Sequence, residues 1–243
     1  MSARRVGIMG GTFDPIHCGH LDAATAAQHA LRLTELLVIT SRIPPHRAAP
    51  IASSYHRFAM VSLAVAGRPG WQASDLELRD DVSSVARADR SYTSATLQKL
   101  HAAGYAPPEL FFVIGADAFA EIASWVDYPA ILGYASFVVV ARPGYRISDL
   151  TTALPALAGR MVHLPLDRAP HETSIILLDA ATSDVSSTAI RDRRARGESI
   201  GGLVPDSVRQ HIEQHELYAS ETPLSRTGAD RAASAAGRLH GQN

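Results

Sequence analysis

A single cysteine, Cys18, stands in 243 residues, so no internal disulfide can form and a reducing, cytoplasmic setting is expected. Lysine is equally scarce. Lys99 is the only one among 23 basic residues, and it follows Gln98, which rules out the Gly-Lys-Ser/Thr loop of the P-loop phosphate binders. No apolar run approaches the roughly 18 residues that a membrane span requires. Ahead of the first glycine pair, Met1 to Val6 carries two arginines but lacks the long apolar stretch of a secretory leader. Charge of one sign is missing too: the formal net charge is −1, so no overall field draws nucleic acid or anionic lipid, and any anion must be held by local groups. Neither nucleic acid nor membrane is expected as a partner, and homo-oligomer formation is left open.

What is present is an ordinary globular composition, 46% hydrophobic and 19% charged, in a chain long enough to bury a sizeable core. Arg5 to Met9 is a short apolar run stopped by Gly10-Gly11, as in a buried parallel strand that enters a tight loop where the glycines permit positive φ. From Gly19 to Leu33, Leu21, Ala24, Ala27 and Leu31 recur at near-helical spacing. Glu35 to Thr40, Glu109 to Gly115 and Ser136 to Ala141 read as strands, with helices at about 55–66 and 93–103 between them; Arg160 to Leu164 and Ser174 to Leu178 are two further strands. Ser187 to Arg196 and Asp206 to Glu216 read as closing helices, the second introduced by Pro205. Alternating strands and helices with near-continuous apolar strands predict an α/β fold, a Rossmann-like doubly wound and mostly parallel sheet with a small C-terminal helical segment. Residues 1–190 would form the core, 191–218 would pack on it and complete the site, and the Ser-, Ala-, Gly- and Arg-rich 219–243 would be a disordered tail.

The chemistry concentrates in the loop after the first strand. Thr12-Phe13-Asp14-Pro15-Ile16-His17-Cys18-Gly19-His20 places two imidazoles three residues apart at a helix entry, where amide N–H groups already favour an anion and the histidines add donors that can follow charge developing on a phosphoryl group. A metal site built from His17, Cys18 and His20 is the alternative, although no second Cys/His cluster accompanies it in the sequence. The dinucleotide-binding fingerprint is excluded because no third glycine falls in place. Far down the chain, Val185-Ser186-Ser187-Thr188-Ala189-Ile190-Arg191 sets hydroxyls at a helix start with an arginine one turn inward; capping alone would account for the serines.

Gly10 to His20 resembles the signature of the adenylyltransferases that act on nicotinate mononucleotide, within the H-x-G-H nucleotidylyltransferases. Residues 185–191 are similar to that family's I-S-S-T-x-I-R element, with Val185 in the isoleucine position. The resemblance spans nearly all of Val6 to Tyr218 and implies adenylyl transfer from ATP to nicotinate mononucleotide. It implies catalytic roles for Thr12, His17 and His20, and ATP contacts from Gly10, Gly11, His17, His20, Ser187, Thr188 and Arg191. Arginine suits the phosphates because its planar fork grips two oxygens and stays charged. On the acceptor side, Pro44-Pro45-His46-Arg47 resembles the P-P-H-K element, with an arginine for the lysine. Ser91-Tyr92-Thr93 resembles the S-Y-T segment whose backbone receives the pyridine carboxylate. There Ala95 replaces an aspartate, and Asp89-Arg90 stand in place of Gly-Pro. Gly115-Ala116-Asp117 and Trp125 resemble the elements for a ribose hydroxyl and for stacking on the pyridine ring; a buried tryptophan is otherwise a common core residue. Magnesium is expected to travel on the ATP phosphates, since no carboxylate cage is evident. Nicotinamide mononucleotide or phosphopantetheine as acceptor, a non-catalytic nucleotide-binding regulator and a fragment of an aminoacyl-tRNA synthetase are the competing readings.

Overall fold

The computed structural model describes residues 4–43, 49–79, 91–144, 147–164 and 172–220. Seven strands lie in one all-parallel sheet: β1 (Val6–Gly11), β2 (Glu35–Thr40), β3 (Trp71–Ser74), β4 (Leu110–Gly115), β5 (Ser136–Val140), β6 (Met161–His163) and β7 (Ile175–Leu178), in the order β3-β2-β1-β4-β5-β7-β6. The helices are α1 (Cys18–Leu31), α2 (Ser54–Val65), α3 (Thr93–Ala102), α4 (Ala116–Ala120), α5 (Asp149–Ala153), α6 (Ser187–Ala195) and α7 (Asp206–Gln214). None is long and apolar enough to cross a membrane.

The apolar strands are continuous because both faces of the sheet are covered, and the two-residue side-chain period sorts their residues between two cores. Met9, Val38, Phe111, Val113, Val138 and Ile176 pack with α1, α2, α6 and α7. Ile8, Ile39, Phe112, Ile114, Phe137 and Leu177, on the opposite face, pack with α3, α4 and α5. The expected division of the chain between residues 190 and 191 falls inside α6, where Ile190 is buried in the same cluster as α1 and α7. The C-terminal segment is thus continuous with that core layer.

Three local features depart from the expectation. The glycine pair does not end the first strand: Gly10 and Gly11 are laddered to Ile39 and Thr40. Positive φ falls at Phe13 (φ 50) instead. The glycines serve space, since a Cβ on Gly11 would sit 2.9 Å from the buried Phe13 ring. The helix that follows starts at Cys18 and ends where Arg32 turns left-handed (φ 51), short of Leu33. The edge strand β3, Trp-Gln-Ala-Ser, has no apolar run; among the described residues it pairs on one side only and is anchored by Trp71, whose Nε1 donates to Gln28 Oε1 at 2.7 Å. Of the expected tail, residues 221–243 lie outside the described residues.

The chain winds outward from β1 through β2 to β3, then crosses back to place β4 on the other side of β1. In open α/β sheets, ligands bind at that reversal, outside the carboxyl ends of the strands. Gly10-Gly11 and Gly115 stand at those ends.

Candidate active site

His17 is the N-cap of α1, and its backbone N–H donates to His20 Nδ1 at 3.3 Å. Because Nδ1 of His20 accepts, the proton of the neutral ring sits on Nε2, so the bond selects the tautomer that donates from the far nitrogen. The two rings stack, with centroids 3.7 Å apart and 27° between planes, and Phe13 packs edge-on against His20 at 5.2 Å. Gly19 makes this geometry: a Cβ there would lie 2.9 Å from the Ser183 carbonyl and 3.3 Å from the His17 ring. The H-x-G-H spacing therefore places the imidazoles face to face while the chain from Ser183 closes over them.

His17 is 2% exposed, and its Nδ1 has no hydrogen-bond partner among the described residues. Burial, followed by the nearby Arg142 guanidinium, pushes its pKa down to about 4, with Asp22 opposing. The ring is neutral at pH 7. Above about pH 6.5 both folded and unfolded states hold His17 uncharged; as pH falls from 6.5 toward 4 only the unfolded chain takes up the proton, so stability is lost across that window, by up to about 3 kcal/mol. Urea titrations at pH 7 and pH 4.5 should show a smaller acid loss for His17→Asn than for the parent; equal losses would remove His17 as the cause.

The distant hydroxyl-and-guanidinium segment docks on the same loop. Ser186 caps α6, accepting from Ala189 N at 3.1 Å. Ser187 Oγ donates to the Pro15 carbonyl at 2.9 Å, and Arg191 donates to the Asp14 carbonyl at 2.8 Å and to Thr188 Oγ1 at 3.2 Å. Ser183 is tied to α1 by donating N–H and hydroxyl to Asp22 Oδ2 at 2.9 and 2.5 Å. An open cleft of about 580 Å³ lies alongside, lined by Gly19, Asp117, Arg142, Ser183, Ser186 and Ala189 among others. Asp117, at the start of α4, pairs with Arg142 at 3.6 Å across its mouth.

The remaining expected residues divide. Ser91 clasps the chain after β2, accepting from Arg42 N at 2.8 Å and donating its own N–H to the Ile43 carbonyl at 2.9 Å. Tyr92 caps α3 and Thr93 is its first residue, where amides have no intrahelical acceptor. Trp125 is half-buried and meets Phe112 edge-to-face at 6.4 Å. Thr12 contributes its carbonyl to the frame beneath the loop. His46 and Arg47 lie outside the described residues. His17, Cys18 and His20 do not gather as metal ligands among those residues: Cys18 starts α1, and its N–H donates to Leu203 O at 2.9 Å.

Reasoning from motifs missed the residues beneath the loop. Arg57, 1% exposed on α2, donates to the carbonyls of Thr12 (2.6 Å), Ser41 (2.7 Å), Arg42 (2.9 Å) and Ala52 (3.2 Å). Asp14 accepts from Ile51 N at 2.9 Å, Ala52 N at 3.1 Å and the Tyr218 hydroxyl at 2.7 Å. Burial, aided by Asp14, pushes the Tyr218 pKa up, which keeps that hydroxyl a donor. Arg142 was missed as well; its signal was an arginine directly after a buried parallel strand, at the sheet end where ligands collect.

The cytidylyltransferase-like family model matches residues 8–193, which takes in the loop at 10–20 and the segment at 185–191. A protein of Roseiflexus sp. named probable nicotinate-nucleotide adenylyltransferase is 40% identical, with 90% of this chain and all of that protein covered. Proteins of the same name from Citrifermentans bemidjiense and Pectobacterium atrosepticum are 38% and 39% identical, covering 88% and 86% of this chain and 98% and 96% of theirs. In fold, the chain is similar to the Plasmodium falciparum nicotinic acid mononucleotide adenylyltransferase solved with NaAD, at TM-score 0.63 and 16% identity, over 88% of this chain and 97% of that one.

Proposed function

The chain belongs to the nicotinate-nucleotide adenylyltransferases of the cytidylyltransferase-like family, and from that membership we propose that it transfers AMP from ATP to nicotinate mononucleotide, giving nicotinate adenine dinucleotide and pyrophosphate. The observation that carries the proposal is the meeting of two segments far apart in sequence: Ser187 and Arg191 rest on Pro15 and Asp14, 172 and 177 positions away, the residues that lead into the stacked His17 and His20.

A phosphate oxygen of the acceptor is already a nucleophile at pH 7, so no covalent enzyme intermediate is needed; the protein must align two polyanions and offset their repulsion. That oxygen forms a new bond to the α-phosphorus as the bond to the bridging oxygen breaks and pyrophosphate leaves with its electrons. His20, donating from Nε2, would stabilise the α-phosphoryl oxygens. His17, neutral and buried, would hold the His20 ring in place by stacking and could donate once a phosphate reaches it. Thr12 and the Gly10-Gly11 backbone would let the phosphate approach, while Ser187, Thr188 and Arg191 would grip the β- and γ-phosphates.

Among the described residues, no group of three carboxylate or imidazole ligands converges on the cleft, which suits a Mg²⁺ held by triphosphate oxygens rather than by a protein cage. When bound, the ion supplies charge neutralisation at the transferring phosphates. Asp117 and Trp125 would serve the ribose and the pyridine ring, with Ser91, Tyr92 and Thr93 at the carboxylate and His46 and Arg47 at the acceptor phosphate.

Mixing the chain with ATP, Mg²⁺ and either nicotinate or nicotinamide mononucleotide tests the proposal. Nicotinate adenine dinucleotide and stoichiometric pyrophosphate are expected, with a marked preference for the acid. Pyrophosphate release without acceptor, or no dinucleotide, would overturn it. Arg191→Ala should raise the KM for ATP by roughly 10- to 100-fold through the lost charged hydrogen bonds, with a smaller change in kcat. An unchanged ATP KM would remove Arg191 from the triphosphate site.

A further inference from the structure

We propose that His56, His211 and His215 form a binding site for one Zn²⁺-class cation that fastens α2 to α7. These three residues are the one group of three metal-ligating side chains gathered among the described residues, and their ligand nitrogens all lie within 4.8 Å of one another. His56 is in the first turn of α2, held there by the capping bond from its N–H to Ser53 Oγ at 3.3 Å. His211 and His215 are one turn apart at the end of α7, the i, i+4 spacing at which two histidines on one helix face share a metal.

The distances are close to those a metal needs. His56 Nδ1 and His211 Nε2 are 3.1 Å apart, and two Zn–N bonds of about 2.1 Å opened to a tetrahedral angle separate their nitrogens by roughly 3.4 Å. The ring centroids are 5.3, 4.9 and 4.4 Å apart around the triangle, and His215 is exposed, so its ring can swing the remaining distance. His56 Nδ1 and His211 Nε2 already face each other at hydrogen-bonding distance; a cation between them would recruit the third imidazole, with water completing the shell.

Three imidazoles with no carboxylate select a borderline cation such as Zn²⁺, Ni²⁺ or Cu²⁺ over Mg²⁺. The site is distinct from the phosphate chemistry. His56 is followed on α2 by Arg57, which holds the Thr12 carbonyl, and α7 runs on to Tyr218, which holds Asp14. The cation would therefore brace the frame beneath the catalytic loop without touching the reacting atoms.

The test uses the untagged full chain, stripped with chelator and titrated with Zn²⁺ by calorimetry and with Co²⁺ by visible absorption. One equivalent should bind with Kd near or below about 1 µM, and saturation should raise the thermal midpoint by roughly 5 °C or more. His215→Ala, at an exposed position, should fold with the parent's metal-free midpoint yet bind at least about 10-fold more weakly. The His211→Gln/His215→Ala pair should lose binding, while Cys18→Ser should keep it. Affinity unchanged in His215→Ala, affinity lost in Cys18→Ser, or no uptake by the parent below about 100 µM would overturn the proposal.

Discussion

His20→Ala lowers kcat by roughly 100- to 1,000-fold, about 3 to 4 kcal/mol, while the KM for ATP moves little. The split follows from what the imidazole does. Its Nδ1 is committed to the His17 N–H, so only Nε2 can donate, and a donor aimed where charge develops gains most of its worth as the α-phosphoryl group becomes transferable. Stability should fall by only about 1 kcal/mol, the worth of one capping bond, because the ring is partly exposed and α1 keeps its buried face of Leu21, Ala24, Ala27 and Leu31. The measurement is steady-state turnover of ATP and nicotinate mononucleotide beside a thermal melt of the same preparation. A variant that turns over within threefold of the parent would end the assignment of His20. A tenfold rise in KM at constant kcat would make it a binding group only.

The sheet could be read from sequence wherever burial on both faces made the strands continuously apolar: the limits of β2 and the existence of β1, β4 and β5 follow from that pattern alone. The pattern fails at β3, because an edge strand has one neighbour among the described residues and Trp71 is its one buried residue. It fails again at the glycine pair. A sequence says that glycine is needed without saying whether for torsion or for room, and at Gly11 the need is room beside Phe13. The chemistry-bearing residues of the candidate site were legible because they sit in contiguous motifs, and Ser187 and Arg191 do reach the loop of His17 and His20. The residues that hold the loop carry no motif. Asp14 and Tyr218 meet across 204 positions, a pairing that no local spacing could announce. Arg57, next to His56 in an ordinary amphipathic helix, reads as a solvated charge until the fold closes two loops around it.

Arg57→Met is the substitution expected to harm the protein most. The guanidinium reaches four carbonyls, of Thr12 after β1, of Ser41 and Arg42 after β2, and of Ala52 ahead of α2, and so ties two strand ends to one helix. Methionine fills a similar volume but donates nothing, leaving acceptors stranded in a buried space. Each stranded acceptor costs about 1 to 3 kcal/mol, and only part is recovered by entering water. Burial works against the charge of Arg57, with Asp14, Tyr218 and Glu77 acting the other way, which offsets some of the loss. A net destabilisation of about 3 to 5 kcal/mol results, or a fall of about 10 °C in thermal midpoint for a chain of this size. Arg57→Lys keeps the charge but presents one ammonium to carbonyls spread around a planar fork, so it should fall between parent and methionine variant. Activity measured below the variant's midpoint should also drop, because the Thr12 carbonyl marks the loop that leads into the histidine pair. A methionine variant melting within 2 °C of the parent would mean that water satisfies those carbonyls and that the loop stands without its arginine.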